Sequence, residues 1–254
     1  MSNSFVEAFS FIAHHGDLLL DEVKVHLEIS AESVAIAILV GVPLGVLLGH
    51  LHRFSFLAIN VSNIGRALPS LAILAIGLPY VGVGKTDVII ALVVLAVPPI
   101  LTNAYVAVDQ VDTETVDAAK GIGLRPSQVL TKVEMPLALP LIFAGIRTSA
   151  VFVVATATLG GIFGGGGLGA IINNRESYGL DGIIGTCYVL IVLTFAVQLL
   201  FVLLERAVTP AGIRATRSSS RSGFTRRQAR VVLAEGGVVE EAQSDLVDQG
   251  SRSS

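Results

Sequence analysis

The sequence predicts an all-α membrane protein: a core of about five transmembrane helices preceded by an N-terminal interfacial helix. Two observations carry this. Of 254 residues, 52% are hydrophobic and 15% charged, where a soluble domain carries about 25% charged residues. Positions 33–52, 88–108 and 182–204 contain no Asp, Glu, Lys or Arg, giving runs of 20, 21 and 23 residues. About 20 helical residues cross the hydrocarbon core of a bilayer. A soluble enzyme and a disordered chain are excluded, and a net charge of −3 gives no footing for nucleic acid.

The elements follow in order. Residues 1–28 mix Phe5, Phe9, Ile12, Leu18–Leu20, Val23 and Leu27 with acids and histidines, which reads as an amphipathic helix on the membrane. The amino end lacks a basic stretch followed by a continuous apolar run, so the first span, 29–49, is expected to serve as the insertion signal. The second span includes 67–82 and starts near Phe56, with Arg66 inside it and Pro69 as a kink. The third, 88–108, contains Pro98-Pro99. A hydrophilic loop follows, 109–134, with five acids and three basic residues.

From Met135 to Asn174 the only formal charge is Arg147. Forty residues are too many for one crossing, and Gly160–Asn174 holds too many glycines for a lipid-facing helix. We therefore expect a fourth span at 138–159, followed by a re-entrant segment buried in protein, where irregular backbone is tolerated at membrane depth. Six spans result if the glycine segment crosses instead. The last span is 182–204. The transmembrane core thus covers 29–204, its loop 109–137 included, and 205–254 forms a tail.

Lys and Arg set the orientation. With the N-terminus outside, the inner side collects Arg53, Lys120, Arg125, Lys132, Arg206 and the tail arginines, and the outer side only Lys24, Lys85 and Arg175. The loop and the C-terminus are then cytoplasmic. The tail divides into a basic half, Arg214–Arg230, and an acidic half, Glu235–Asp248. It reads as solvated and disordered, with attraction to anionic lipid as the functional alternative.

Several motifs carry no chemistry. Gly82-Val83-Gly84-Lys85-Thr86 ends like a phosphate loop, but Pro79 stands where the pattern needs its first glycine. His14, His15, His26, His50 and His52 fall on opposite membrane faces with no carboxylate or cysteine cluster, so they read as interfacial rather than metal-binding. Cys187, the single cysteine, reads as a small core residue. No catalytic set is found, which weighs against an intramembrane enzyme.

Intramembrane polar residues are costly and mark cavities or partners. Ser62, Arg66 and Ser70 recur every four residues on one helix face, with Asn63 beside them. Thr102, Asn103 and Tyr105 follow the Pro98-Pro99 break, and Thr148 follows Arg147. These are the candidate pathway residues. Arg147 itself fits a pathway role and a structural one equally well.

The central loop reads ETVDAAKGIGLRPSQVLTKVEMPLALP (114–140). Asp117-Ala118-Ala119, then Gly123 after three residues, then Val133-Glu134-Met135-Pro136 after nine more, resembles the E-A-A-x3-G-x9-I-x-L-P signature of binding-protein-dependent ABC importer permeases. Asp replaces Glu, Val replaces Ile and Met replaces Leu. The small residues suit a helix–turn–helix knob with no room for a side chain at Gly123, and Pro136 and Pro140 are expected to stop it before the next span.

Further stretches, GRALPSLAILAIGLPYVGVG (65–84), PPILTNAYVAVDQVD (98–112), LPLIFAGIRTSAV (139–151) and TATLGGIFGGGGLGAII (156–172), resemble the permease subunits of osmoprotectant importers for glycine betaine, carnitine, choline or proline betaine. The R-A-L-P-S-L-A, T-A-T-L and G-G-G-G-L-G runs favour that branch over methionine-type importers, which stand as the alternative.

The resemblance implies a type I importer fold in the cytoplasmic (inner) membrane, with two permease chains, identical or different, around one path. It also implies an extracytoplasmic binding protein and two cytoplasmic ATPase subunits, which hold the ATP and Mg; no cofactor is expected in this chain. Asp117, Ala118, Ala119, Gly123 and Pro136 become the ATPase-coupling residues. Quaternary ammonium ligands are best held by aromatic cages, yet the chain has no Trp and four Tyr. High-affinity selection is therefore expected on another subunit.

Overall fold

A computed structural model of the chain describes residues 2–51 and 69–208, which are helical throughout apart from turns. The arginine-rich tail beyond Val208 lies outside the described residues. Four helices are long and apolar enough to cross a membrane, and a shorter apolar helix joins them.

Helix α1 (Ser2–His14) and helix α2 (Gly16–His50) divide the amphipathic segment between them. The boundary expected at 28/29 falls inside α2, a single helix of 35 residues and roughly 50 Å. Helix α3 (Ser70–Val81) starts directly after Pro69, whose carbonyl accepts from Ala72 N–H at 2.9 Å. Pro69 itself is extended (ψ 123) and stands at the start of this helix, as its fixed φ and missing N–H favour. The part of the expected second span before it, from Phe56, lies outside the described residues.

Helix α4 (Lys85–Asp109) runs unbroken through Pro98-Pro99. The break expected there is absent because α4 is clamped on two sides. Gly41, Gly45 and Gly49 of α2 let the backbones of α2 and α4 approach closely; a Cβ on Gly49 would lie 2.7 Å from the Tyr105 carbonyl oxygen. This is small-residue helix packing as it operates in membranes. On the other side Ser149 Oγ donates to the Ala96 carbonyl at 3.2 Å.

The central loop forms helix α5 (Thr113–Gly121), a turn, and helix α6 (Pro126–Val129). A π-helical turn (Leu130–Glu134) then leads directly into helix α7 (Met135–Thr156). Pro136 and Pro140 do not stop the chain. A proline ring clashes with the carbonyl four residues back, here that of Lys132, and the wider π turn relieves this: Met135 N–H reaches back to Leu130 O. From Pro126 to Phe163 the helix is continuous over 38 residues.

After α7 the backbone tightens into a 3-10 stretch (Ala157–Phe163), turns through Gly164, Gly166 and Gly167 at positive φ, and doubles back as helix α8 (Leu168–Ile172). Seven residues at about 2 Å each cover only about 14 Å, half a bilayer core. The glycine segment folds back as a hairpin, and neither of its short helices is long enough to cross as a sixth span. Gly161 and Gly169 meet backbone to backbone.

Helix α9 (Arg175–Val208) bends at Gly179 (φ 65) and exposes Ile191, Val192, Phe195 and Leu199 along one side, as a lipid-facing span requires. Cys187 is half-buried on it. Helix α1 docks on α9, where Phe11 and Ala8 cover Gly182 and Gly185 and Phe9 stacks on Tyr188. The main core joins α2, α4 and α7 through Ile29, Ala37, Val88, Ile100, Ala104, Ile142 and Val153.

Candidate functional site

Helix α5 is started by Asp112, whose Oδ1 accepts from Glu114 N–H at 3.1 Å and whose Oδ2 accepts from Thr115 Oγ1 at 3.3 Å. Its end explains the signature's spacing. Leu124 N–H donates to Ala119 O at 3.2 Å, and Gly123 N–H donates to Lys120 O at 2.9 Å. This 6→1 and 5→2 pair is a Schellman motif, with Gly123 as its left-handed residue (φ 88). Ala119 and Leu124 then meet in a small core with Val111, Val116, Val129 and Val133. Four residues from Ala119 to Gly123 is the spacing this closure demands.

The expected reason for Gly123 needs correcting. A Cβ there would meet nothing within 4 Å; the constraint is the positive φ, not lack of room. Gly123→Ala should therefore cost about 1–2 kcal/mol, and Gly123→Asn less, because Asn tolerates this region. Thermal unfolding of the two variants gives the order, and equal losses would contradict it.

Asp117 and Ala118 face outward on α5, and Asp117 pairs with Lys120 at 3.2 Å. Ile122, at 81% exposure, stands at the tip. The loop is thus a rigid knob presenting Asp117, Ala118, Gly121 and Ile122. Pro136 lies half-buried at the start of α7. Gln128 Oε1 accepts from Arg125 N–H at 2.9 Å and steadies the turn before α6.

Ser62, Asn63 and Arg66 lie outside the described residues. Ser70 is half-buried at the first turn of α3. Thr102 and Asn103 are half-buried on α4. Asn103 Nδ2 donates to Pro99 O at 2.7 Å, and its side chain packs where Gly145 of α7 leaves space. Tyr105, 4% exposed, packs with Leu101 and Leu48 toward α2. Thr148 is exposed on α7 and donates to Ala144 O at 2.9 Å. Asn103 and Tyr105 thus point to different neighbours.

Other contacts were not foreseen. Arg147 Nη1 lies 3.0 Å from Glu205 Oε2 on α9, which gives the mid-span charge a structural partner. Lys85 pairs with Glu32 at 2.7 Å and Glu28 at 3.6 Å. His26 is not interfacial: it is 1% exposed, and its Nε2 donates to Val154 O at 2.8 Å. His50 Nδ1 donates to Glu134 Oε2 at 2.6 Å, and the Glu134 side chain is buried. His52 lies outside the described residues. Among the described residues no three His, Cys, Asp or Glu group together in a way that could hold a metal ion. For the Glu134 contact, the sequence signal was a carboxylate directly before a stretch, 135–174, whose single formal charge is Arg147.

Comparison with known proteins places this geometry. The family described as "Binding-protein-dependent transport system inner membrane component" matches residues 41–211. The choline transport system permease protein OpuBB of Bacillus subtilis is 39% identical over 211 residues, 83% of this chain and 97% of that protein. The glycine betaine/carnitine/choline transport system permease protein OpuCB of the same organism is 38% identical over 215 residues, 84% and 99% of the two chains. Among solved structures, an inward-facing MetNI methionine ABC transporter superposes with a TM-score of 0.69 at 25% identity, covering 77% of this chain and 98% of that one. The helix–turn–helix knob, the spans and the match over most of its length agree: the chain belongs to the binding-protein-dependent transport system inner membrane components, as a multi-pass membrane permease of the ABC importer kind.

Proposed function

We propose that the chain is the permease subunit of an ATP-driven importer of small quaternary ammonium osmoprotectants, of the glycine betaine, carnitine, choline and proline betaine class. The observation that carries this is near full-length similarity to permeases named for choline, glycine betaine and carnitine transport. The exposed knob of Asp117, Ala118 and Ile122 docks on a cytoplasmic ATPase subunit, which holds ATP and Mg. Because α6 continues into α7 without a stop, movement of the knob is delivered straight into the core.

The distribution of Lys and Arg supports an inner-membrane orientation with the knob in the cytoplasm and Thr86 outside. Tyr105, the one tyrosine among the candidate pathway residues, is packed against Leu101 and Leu48 and offers no open aromatic face to a cation. Recognition then falls to an extracytoplasmic binding protein, and this chain, with a second permease chain, forms a weakly binding conduit.

The functional test is uptake of labelled glycine betaine and choline under raised osmolarity, with and without the chain. Uptake should require it; dependence of methionine uptake alone would move the substrate to the methionine class. For topology, single cysteines at Thr86 and Ser127 in a Cys187→Ala background should label from opposite sides. Reaction of both with an impermeant thiol reagent in intact cells would reverse the orientation.

A further inference from the structure

The His50–Glu134 contact joins two parts of the molecule that nothing in the loop signature connects. Glu134 occupies the unspecified position between Val133 and Met135, inside the π turn. Its residue is 2% exposed, and its carboxylate accepts from His50 Nδ1 at 2.6 Å across 84 positions of sequence. A carboxylate is not kept buried without a partner, and π turns concentrate where helices do work.

His50 is the last residue of α2 and follows Gly49, which lies against Tyr105, Val108 and Asp109 of α4. The glycine stripe of Gly41, Gly45 and Gly49 makes α2 and α4 one closely packed pair. The knob therefore has two mechanical outlets. One is covalent, through the π turn into α7. The other is the His50–Glu134 hydrogen bond into the α2–α4 pair.

We propose that Glu134 and His50 are positioning residues that form a strut, through which displacement of the docking loop is passed to the α2–α4 pair during transport; this rests on the permease reading above. Without the strut, motion of the loop reaches the α2–α4 pair only indirectly, through the packing of α7, and hydrolysis proceeds with much less solute moved.

The test uses the assembled transporter in proteoliposomes with its binding protein, reading glycine betaine uptake and ATP hydrolysis in the same vesicles. In His50→Ala and in Glu134→Gln, complex assembly and hydrolysis should stay within roughly twofold of wild type, while solute moved per ATP falls about tenfold. The exchanged pair, His50→Glu with Glu134→His, should regain a large part of that ratio.

An unchanged ratio in both single variants overturns the strut, as does parallel loss of uptake, hydrolysis and assembled complex that the exchange fails to restore. A wild-type complex that hydrolyses ATP but moves no glycine betaine would overturn the substrate reading alone. The strut is then read from spin labels at Ser127 and Thr86 in the Cys187→Ala background. Their separation should hold steady on nucleotide binding in wild type and shift in His50→Ala; the same response in both overturns it.

Discussion

Gly169→Ala is expected to leave a protein that unfolds far below wild type. Gly161 and Gly169 touch backbone to backbone, and a Cβ on Gly169 would collide with the carbonyl of Thr158. No flexible side chain stands there to yield. Asn173 fixes the approach further, its Nδ2 donating to Gly169 O at 2.7 Å and to Thr158 O at 3.4 Å. Overpacking of this kind costs about 3 kcal/mol, or roughly 6–12 °C in a chain of this size. Gly16→Ala is the control, since a Cβ there meets nothing within 4 Å and alanine favours a helix. Melting in detergent should separate the two variants clearly. Equal midpoints would mean that the hairpin does not fold back on itself as described.

A second large effect is expected at Gly45. A Cβ there would strike the Leu101 carbonyl and lie 2.7 Å from Ala104 Cβ and 3.0 Å from Tyr105 N. Gly45→Leu must push α2 away from α4, opening the interface where both cross the bilayer. Lipid gives no hydrophobic drive to close it again, because association there depends on close packing. We expect a loss of about 3 kcal/mol, read as poor yield of folded protein and failed assembly. Adding Ala104→Gly removes one collision but not the backbone one, so rescue should be partial. Full rescue would show that the carbonyl is not the limiting contact, and normal yield of the single variant would remove the interface altogether.

The parts of this molecule that were legible in the sequence are those with a local cause. A charge-free run of 20 residues reports partition into hydrocarbon wherever it occurs, so the spans could be read from composition. The glycine hairpin was legible because so many glycines cannot make a stable lipid-facing helix. The central loop was legible through the signature it resembles, whose spacing from Ala119 to Gly123 a Schellman closure fixes in sequence as well as in space.

What escaped depends on partners distant in sequence. Pro98-Pro99 and Pro136 read as breaks under the local rule that proline removes a donor. Packing of α4 against α2 and α7, and a π turn ahead of α7, hold the helices together regardless. His26 read as interfacial because nothing near it in sequence announces the Val154 carbonyl. The same holds for Arg147 and Glu205. The candidate pathway residues have their own difficulty: Asn103 and Tyr105 sit on one helix yet serve different neighbours, and helical spacing alone does not separate a lining residue from a packing one.

The π turn at Leu130–Glu134 has a geometric consequence for the loop it carries. A π turn is an α-helix with one residue too many, and one residue of α-helix is about 100° of rotation. That surplus sets the compass bearing of the knob relative to the span. Were the turn regular, α7 could keep Gly145 against Asn103 while Asp117, Ala118 and Ile122 swung about a quarter of a circle around the helix axis. The direction in which the knob's exposed face points is thus a phase angle, written into the chain as a single extra residue.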